Sequence, residues 1–184
     1  MADQDVSSRR VRLSRGPELR IIERGDGEPR WLLLHGLASN ARLWDGVARR
    51  LTETGGTTVA VDQRGHGLSD RPDDGYDMVT VADDLADLAD ALGWETALLA
   101  GQSWGGNVVL EALARHPGRF LGAVCIDGGF IRLRERFENW EDCAATLAPP
   151  HLIGTPVDQM RRWVDTSASD WPEEGRLGTI ANFE

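Results

Sequence analysis

The chain has 184 residues, 41% of them apolar and 27% charged, an ordinary globular composition with room for one core rather than two. Thirty acidic against 20 basic side chains leave a net charge of −10, which argues against the basic footprint of nucleic-acid binding and against anionic membrane surfaces. No apolar stretch approaches the roughly 18 residues of a membrane span, and the opening Met1-Ala2-Asp3-Gln4-Asp5 lacks the basic-then-apolar pattern of a secretory signal.

In chain order, Arg9 to Leu13 and Leu19 to Glu23 read as two short strands joined by a turn at Gly16-Pro17. Trp31 to Leu34 is a continuous apolar run, as expected for a strand buried on both faces. Leu43, Trp44, Val47 and Leu51 mark one face of a helix that Gly55-Gly56 ends. The β-branched run Thr57 to Val61 is the next strand, and residues 63 to 77, rich in glycine and broken by Pro72, form a long loop. Val81, Leu85, Leu88 and Leu92 then fall at helical spacing. Asp83, Asp84, Asp87 and Asp90 take the other face, expected to be solvated rather than metal-binding.

Thr96 to Ala100 is a further buried strand, Gly101 to Gly106 a tight turn, and Asn107 to Arg115 a helix that Pro117 ends. Phe120 to Ile126 is the sixth strand. Strands alternating with helices on short turns imply an α/β fold whose mostly parallel sheet is flanked by helices. From about Phe130 charged residues and tryptophans appear without strand signals. Thr155-Pro156 there could open a helix with Val157, Met160 and Val164 inward. The two cysteines, Cys125 and Cys143, give neither a disulfide framework nor a zinc pattern, which fits a reducing cytoplasm.

The chemistry-bearing segment is Leu98-Leu99-Ala100-Gly101-Gln102-Ser103-Trp104-Gly105-Gly106, a G-x-S-x-G pattern between strand and helix. A serine hydroxyl is a weak nucleophile and must be exposed to both a base and a substrate carbonyl. A sharp turn lifts it above the sheet, and glycines two residues either side leave room for the backbone. The following helix N-terminus presents N–H groups to developing negative charge. Leu33-Leu34-His35-Gly36-Leu37 supplies the second half of an anion site: the backbone N–H groups of Leu37 and Trp104 are the candidate oxyanion donors. A dinucleotide-binding reading of the glycines fits worse, because that fingerprint follows the first strand of its unit and this turn follows the fifth.

Three blocks in this order, His35-Gly36, Asp62-Gln63-Arg64-Gly65-His66-Gly67-Leu68-Ser69 and Gly101 to Gly106, resemble the α/β-hydrolase superfamily over about residues 9 to 127. The closest likeness is to its compact, serine-nucleophile members with a helical cap, not to the dehalogenase and epoxide-hydrolase branches, which use a carboxylate at the serine position. The resemblance implies a hydrolase-fold core over 1–129 and an incomplete helical cap over 130–184. It further implies a sheet cut after its sixth strand, whose edge would lie open, and a natural protein that does not end at Glu184.

It also implies a triad in the order serine, acid, histidine, with the histidine after the last strand and so outside this chain. Of the four histidines, His35 and His66 precede Ser103 and resemble structural supports. His116 ends the helix behind it, and His151 lies in the cap region. The acid is expected after a seventh strand; Asp127, after the sixth, is the alternative. The expected activity is Ser103-dependent cleavage of an ester, amide or related carbonyl bond of a small molecule, without cofactor or metal. The alternative is an inactive truncated hydrolase or a ligand-binding protein.

Overall fold

The computed structural model describes residues 6–130, 132–147 and 155–182. Its centre is a six-stranded sheet of β1 (Val6–Arg12), β2 (Glu18–Arg24), β3 (Arg30–Leu34), β4 (Thr57–Val61), β5 (Ala97–Gln102) and β6 (Phe120–Ile126), in the spatial order β1-β2-β4-β3-β5-β6. β1 and β2 form an antiparallel pair, and β2 runs antiparallel to β4. β4, β3, β5 and β6 are parallel neighbours. The parallel connections are made by α1 (Asp45–Glu53), α2 (Met78–Ala91) and α3 (Trp104–Arg115).

The side-chain alternation of the strands builds two cores, one on each face. Leu32, Leu34, Val59, Val61 and Leu99 point to the side where Val81, Leu85 and Leu88 of α2 and Val108, Val109 and Ala112 of α3 pack. Leu33, Ala60 and Ala100 point the other way, against Ala41 and Trp44 of a 3-10 turn and Ala48 of α1. All five residues of β4 are buried, as a strand covered on both faces requires.

The acidic face of α2 departs from expectation. Asp84 and Asp87 are each only 6% exposed. Asp84 takes a bidentate pair of 2.6 Å bonds from Arg64, and Asp87 accepts from Arg15 at 2.8 Å and Ser14 at 3.3 Å. The periodicity of one helix cannot show that two distant loops fold over its polar side and bring their own arginines. Asp83 and Asp90 do face outward, paired with Arg115 and Arg119.

Among the described residues, four short helices follow β6: α4 (Leu133–Arg136), α5 (Trp140–Leu147), α6 (Val157–Ser167) and α7 (Glu173–Ile180). α6 begins where Pro156 fixes the backbone, and it buries Met160 and Val164. Val164, Ala168 and Ile180 form a small cluster joining α6 to α7. α7 in turn docks on the 3-10 turn and α1: Asn40 Nδ2 donates to Gly178 O at 3.1 Å, and Arg49 pairs with Glu174 at 2.7 Å. Among the described residues β6 forms one edge of the sheet, opposite β1, with Leu121, Val124 and Ile126 exposed.

Removing one member of a buried ion pair strands the other charge, at a cost of about 3 kcal/mol or more. Asp84→Asn is expected to lower unfolding stability by that amount in denaturant titration, and joint replacement of Arg64 and Asp84 by Met and Leu to recover most of it. An unchanged midpoint in the single variant would show that the pair carries no such weight.

Candidate active site

Three loops converge at the C-terminal ends of the parallel strands. The central one is the turn from β5 into α3. Ser103 occupies it with φ 53° and ψ −121°, a left-handed backbone that a serine rarely adopts. Its N–H donates to Ile126 O at 2.8 Å, and its carbonyl accepts from Gly106 N at 2.9 Å. The turn closes only because Gly101 and Gly105 lack side chains. A Cβ at Gly101 would lie 2.2 Å from Gly105 O, and one at Gly105 would lie 2.5 Å from the carbonyls of Leu34 and His35.

The flanking loops press equally close. A Cβ on Gly36 would sit 2.9 Å from Ser103 Cβ, and one on Gly128 only 2.0 Å from Ser103 O. Among the described residues the non-glycine residues with positive φ are Ala38, Ser103 and Asp127, following β3, β5 and β6 respectively. Backbone strain is thus concentrated where the three loops meet, as at functional sites. The chain sequence signalled it only at Ser103; neither Ala38 nor Asp127 belongs to a residue type that requires such a conformation.

Ser103 is half-buried, and its hydroxyl makes no hydrogen bond among the described residues. Leu37 lies exposed in the loop after β3, and Trp104 is the first residue of α3. The backbone N–H groups of both are unengaged among the described residues, that of Trp104 because a first-turn helical N–H has no partner in its own helix. One unengaged N–H therefore lies at the positive end of a 12-residue helix, and the other on the loop whose Gly36 meets Ser103.

His35 is fully buried beneath this site. Its Nδ1 donates to Gly36 O at 2.7 Å, and its Nε2 accepts from Gln63 N at 3.1 Å, an arrangement that specifies the neutral ring. Burial pushes its pKa down to about 3. Gln63 Nε2 returns a bond to His35 O at 2.6 Å. His66 stands with its ring edge-on to His35, 5.0 Å away, and stacked on the Trp104 indole at 6.2 Å. His116 lies at the far end of α3, bonded to Asp83 at 2.8 Å. His151 is outside the described residues. Asp127 is exposed immediately after β6, one residue beyond the carbonyl that anchors Ser103.

Asp62 has a role the sequence did not announce. Its two carboxylate oxygens accept from Ala41 N at 2.7 Å and Leu68 N at 3.0 Å, tying the loop after β3 to the loop after β4. Gly67 is required beside it, because a Cβ there would fall 2.2 Å from Asp62 Oδ2. Ser69 completes the cradle, donating to Asp62 O at 2.5 Å and accepting from Arg20 N at 2.8 Å. The Asp-Gln-Arg-Gly-His-Gly-Leu-Ser block is therefore a scaffold for the site. An open cavity of about 850 Å³ lies elsewhere, beside the 63–77 loop, lined by Arg15, Arg64, Arg71, Asp70 and Thr80 among others.

A six-stranded mixed sheet with a strained serine between β5 and α3 defines a class, and the comparisons agree: the profile of the alpha/beta hydrolase fold family matches residues 29–175, and the chain belongs to that family. It is 40% identical over 127 residues to the 2-(acetamidomethylene)succinate hydrolase of Mesorhizobium japonicum, covering 69% of this chain and 45% of that protein. Epoxide hydrolase A of Mycobacterium tuberculosis is 37% identical over 114 residues, covering 60% of this chain and 35% of that one. The crystal structure of E-2-(acetamidomethylene)succinate hydrolase superposes with a TM-score of 0.78 at 30% identity, covering 96% of this chain and 64% of that one. The chain spans less than half the length of these two curated relatives.

The buried His35 makes an acid-side prediction. The unfolded chain takes up its proton near pH 6.5, the folded chain only near 3. Acid therefore favours unfolding: this contribution is full above about pH 6.5 and is lost as pH falls toward 3, by at most about 1.4 kcal/mol per pH unit. Urea midpoints measured from pH 7 to 4.5 should fall more steeply in the native protein than in His35→Gln. Equal slopes would mean that His35 is not buried neutral.

Proposed function

We propose that this chain is the nucleophile-bearing part of a serine hydrolase that cleaves an ester, amide or related carbonyl bond of a small molecule. One observation carries the reading: a serine held on a strained strand-to-helix turn with two unengaged backbone N–H groups, those of Leu37 and Trp104, on the loops that adjoin it. In this reading Ser103 Oγ adds to the carbonyl carbon and passes its proton to a histidine. The carbonyl oxygen takes the electron pair and rests as an oxyanion on the Leu37 and Trp104 N–H groups. Collapse expels the leaving group, which takes the proton from the histidine, and water hydrolyses the acyl-serine by the same route.

The base is assigned to a histidine outside this chain, after the last strand in the family's triad order. His35 is neutral with both ring nitrogens engaged, His66 is packed between two rings, and His116 is held by Asp83. Asp127 is a candidate acid because it follows β6 directly beside the serine turn. We read residues 130–184 as the start of a helical cap beside a core at 1–129. The unpaired Cys125 and Cys143 support a reducing, cytoplasmic setting.

The relative named 2-(acetamidomethylene)succinate hydrolase supports hydrolysis of a small molecule. The name epoxide hydrolase A points to a different bond, and the nucleophile weighs against it here. Opening an epoxide with serine leaves an ether that water does not readily cleave, whereas a carboxylate leaves a hydrolysable ester. A second reading, an inactive remnant or ligand-binding protein, is favoured by the absence of any histidine bonded to Ser103 among the described residues.

The two readings separate in one experiment on the full-length protein expressed from its native gene. A fluorophosphonate should label it covalently, and Ser103→Ala should abolish the label. An unlabelled native protein would leave the second reading. The 184-residue segment alone, lacking the base, should turn over activated esters slower by as much as about 10⁶ in kcat. Turnover by the segment that depends on His116 or His151 would contradict the assignment of the base.

A further inference from the structure

The loop after β4 does more than brace the sheet. It reaches both loops that carry the candidate oxyanion donors, and it does so through one side chain. The His66 ring lies edge-on to His35 at 5.0 Å and 61°, and nearly parallel to the Trp104 indole at 6.2 Å and 26°. His35 immediately precedes Gly36-Leu37, and Trp104 immediately follows Ser103. The His66 ring is itself oriented by a 3.0 Å contact of Nδ1 with Arg64 O. Arg64 is in turn fixed by its buried pair with Asp84.

We infer that His66 is a positioning residue of the oxyanion hole: its ring, wedged between His35 and Trp104, sets the separation of the Leu37 and Trp104 N–H groups. The inference rests on the serine-hydrolase reading and deepens it. The direct contacts between the two donor loops are made at glycines. Gly36 meets Ser103, and Gly105 meets the carbonyls of Leu34 and His35. Such contacts set how closely the backbones approach. They leave the rotation of each loop to larger groups. His66 is half-buried and spans that gap from the side, packing by its faces and edge. Its flat ring limits how Trp104 can turn relative to His35. Oxyanion donors act only when both lie within about 2.7–3.1 Å of the developing charge, so a small rotation of either loop costs rate rather than substrate binding.

The test is the second-order rate of fluorophosphonate labelling of Ser103 in full-length protein, with KM and kcat for an activated ester beside it. The transition state of phosphonylation builds negative charge on the phosphonyl oxygen in the same hole, so its rate reads the donors directly. His66→Ala is expected to label about tenfold more slowly and to lose kcat with KM nearly unchanged. His66→Leu, which keeps bulk and loses the flat ring, should behave alike. His66→Phe, which keeps the stack and loses the bond to Arg64 O, should recover to within about threefold of the native rate. Melting curves separate these effects from unfolding, and the Leu and Phe variants decide the matter if His66→Ala does not fold. Native rates in both His66→Ala and His66→Leu would overturn the inference, as would His66→Phe as slow as His66→Leu. Labelling of the native protein at Ser103 with no effect of any His66 variant sinks this inference alone; no labelling of the native protein sinks the hydrolase reading and this inference with it.

Discussion

The backbone of Ser103 is the constraint on which the rest of the site depends. A serine at φ 53° is strained by an amount on the order of 1–3 kcal/mol, and it stays there only because its surroundings fix it from every side. Its N–H is held by Ile126 O and its carbonyl by Gly106 N, while four glycines allow neighbouring backbones to approach closer than any Cβ would permit. The strain has a functional consequence. It turns the hydroxyl out of the sheet while placing the next residue's N–H at the start of α3, where no helical carbonyl can use it.

Around this turn the support is layered. β3, β5 and β6 deliver three loops to one end of the sheet because they are parallel and adjacent. Asp62 joins two of the neighbouring loops through main-chain N–H groups. His35 does the same from below as a neutral ring, bonding on one side to Gly36 and on the other to Gln63. Burying it uncharged suits the scaffold: protonation would remove the Nε2 lone pair that accepts from Gln63 N, and a group titrating near neutrality would make the loop geometry depend on pH. The Arg64–Asp84 pair anchors the loop after β4 against α2, so the scaffold runs without interruption from the helical layer to the serine.

Much of this was legible in the sequence because it rests on local rules. Five of the six strands lie within two residues of where apolar runs and turn residues put them, while β1 starts three residues earlier than read, in a mostly exposed polar stretch at Val6. The serine turn was visible from glycine spacing between a strand and a helix. Sequence patterns failed where an interaction joins distant segments. The burial of Asp84 and Asp87 depends on arginines 20 and 72 positions away. The roles of Asp62 and His66 arise only when loops after different strands meet. The strain at Ala38 leaves no trace in residue type, and at Asp127 only the weak one that aspartate tolerates positive φ better than most residues. A period of 3.6 reports which face of a helix is apolar, and it cannot report what comes to cover the polar one.

The most direct measurement of the central claim is a crystal structure of the full-length protein after reaction with an organophosphonate. Phosphorus should be bonded to Ser103 Oγ, with its phosphonyl oxygen within about 3 Å of the backbone nitrogens of both Leu37 and Trp104. An adduct on another residue, or a phosphonyl oxygen turned away from those two N–H groups, would contradict it.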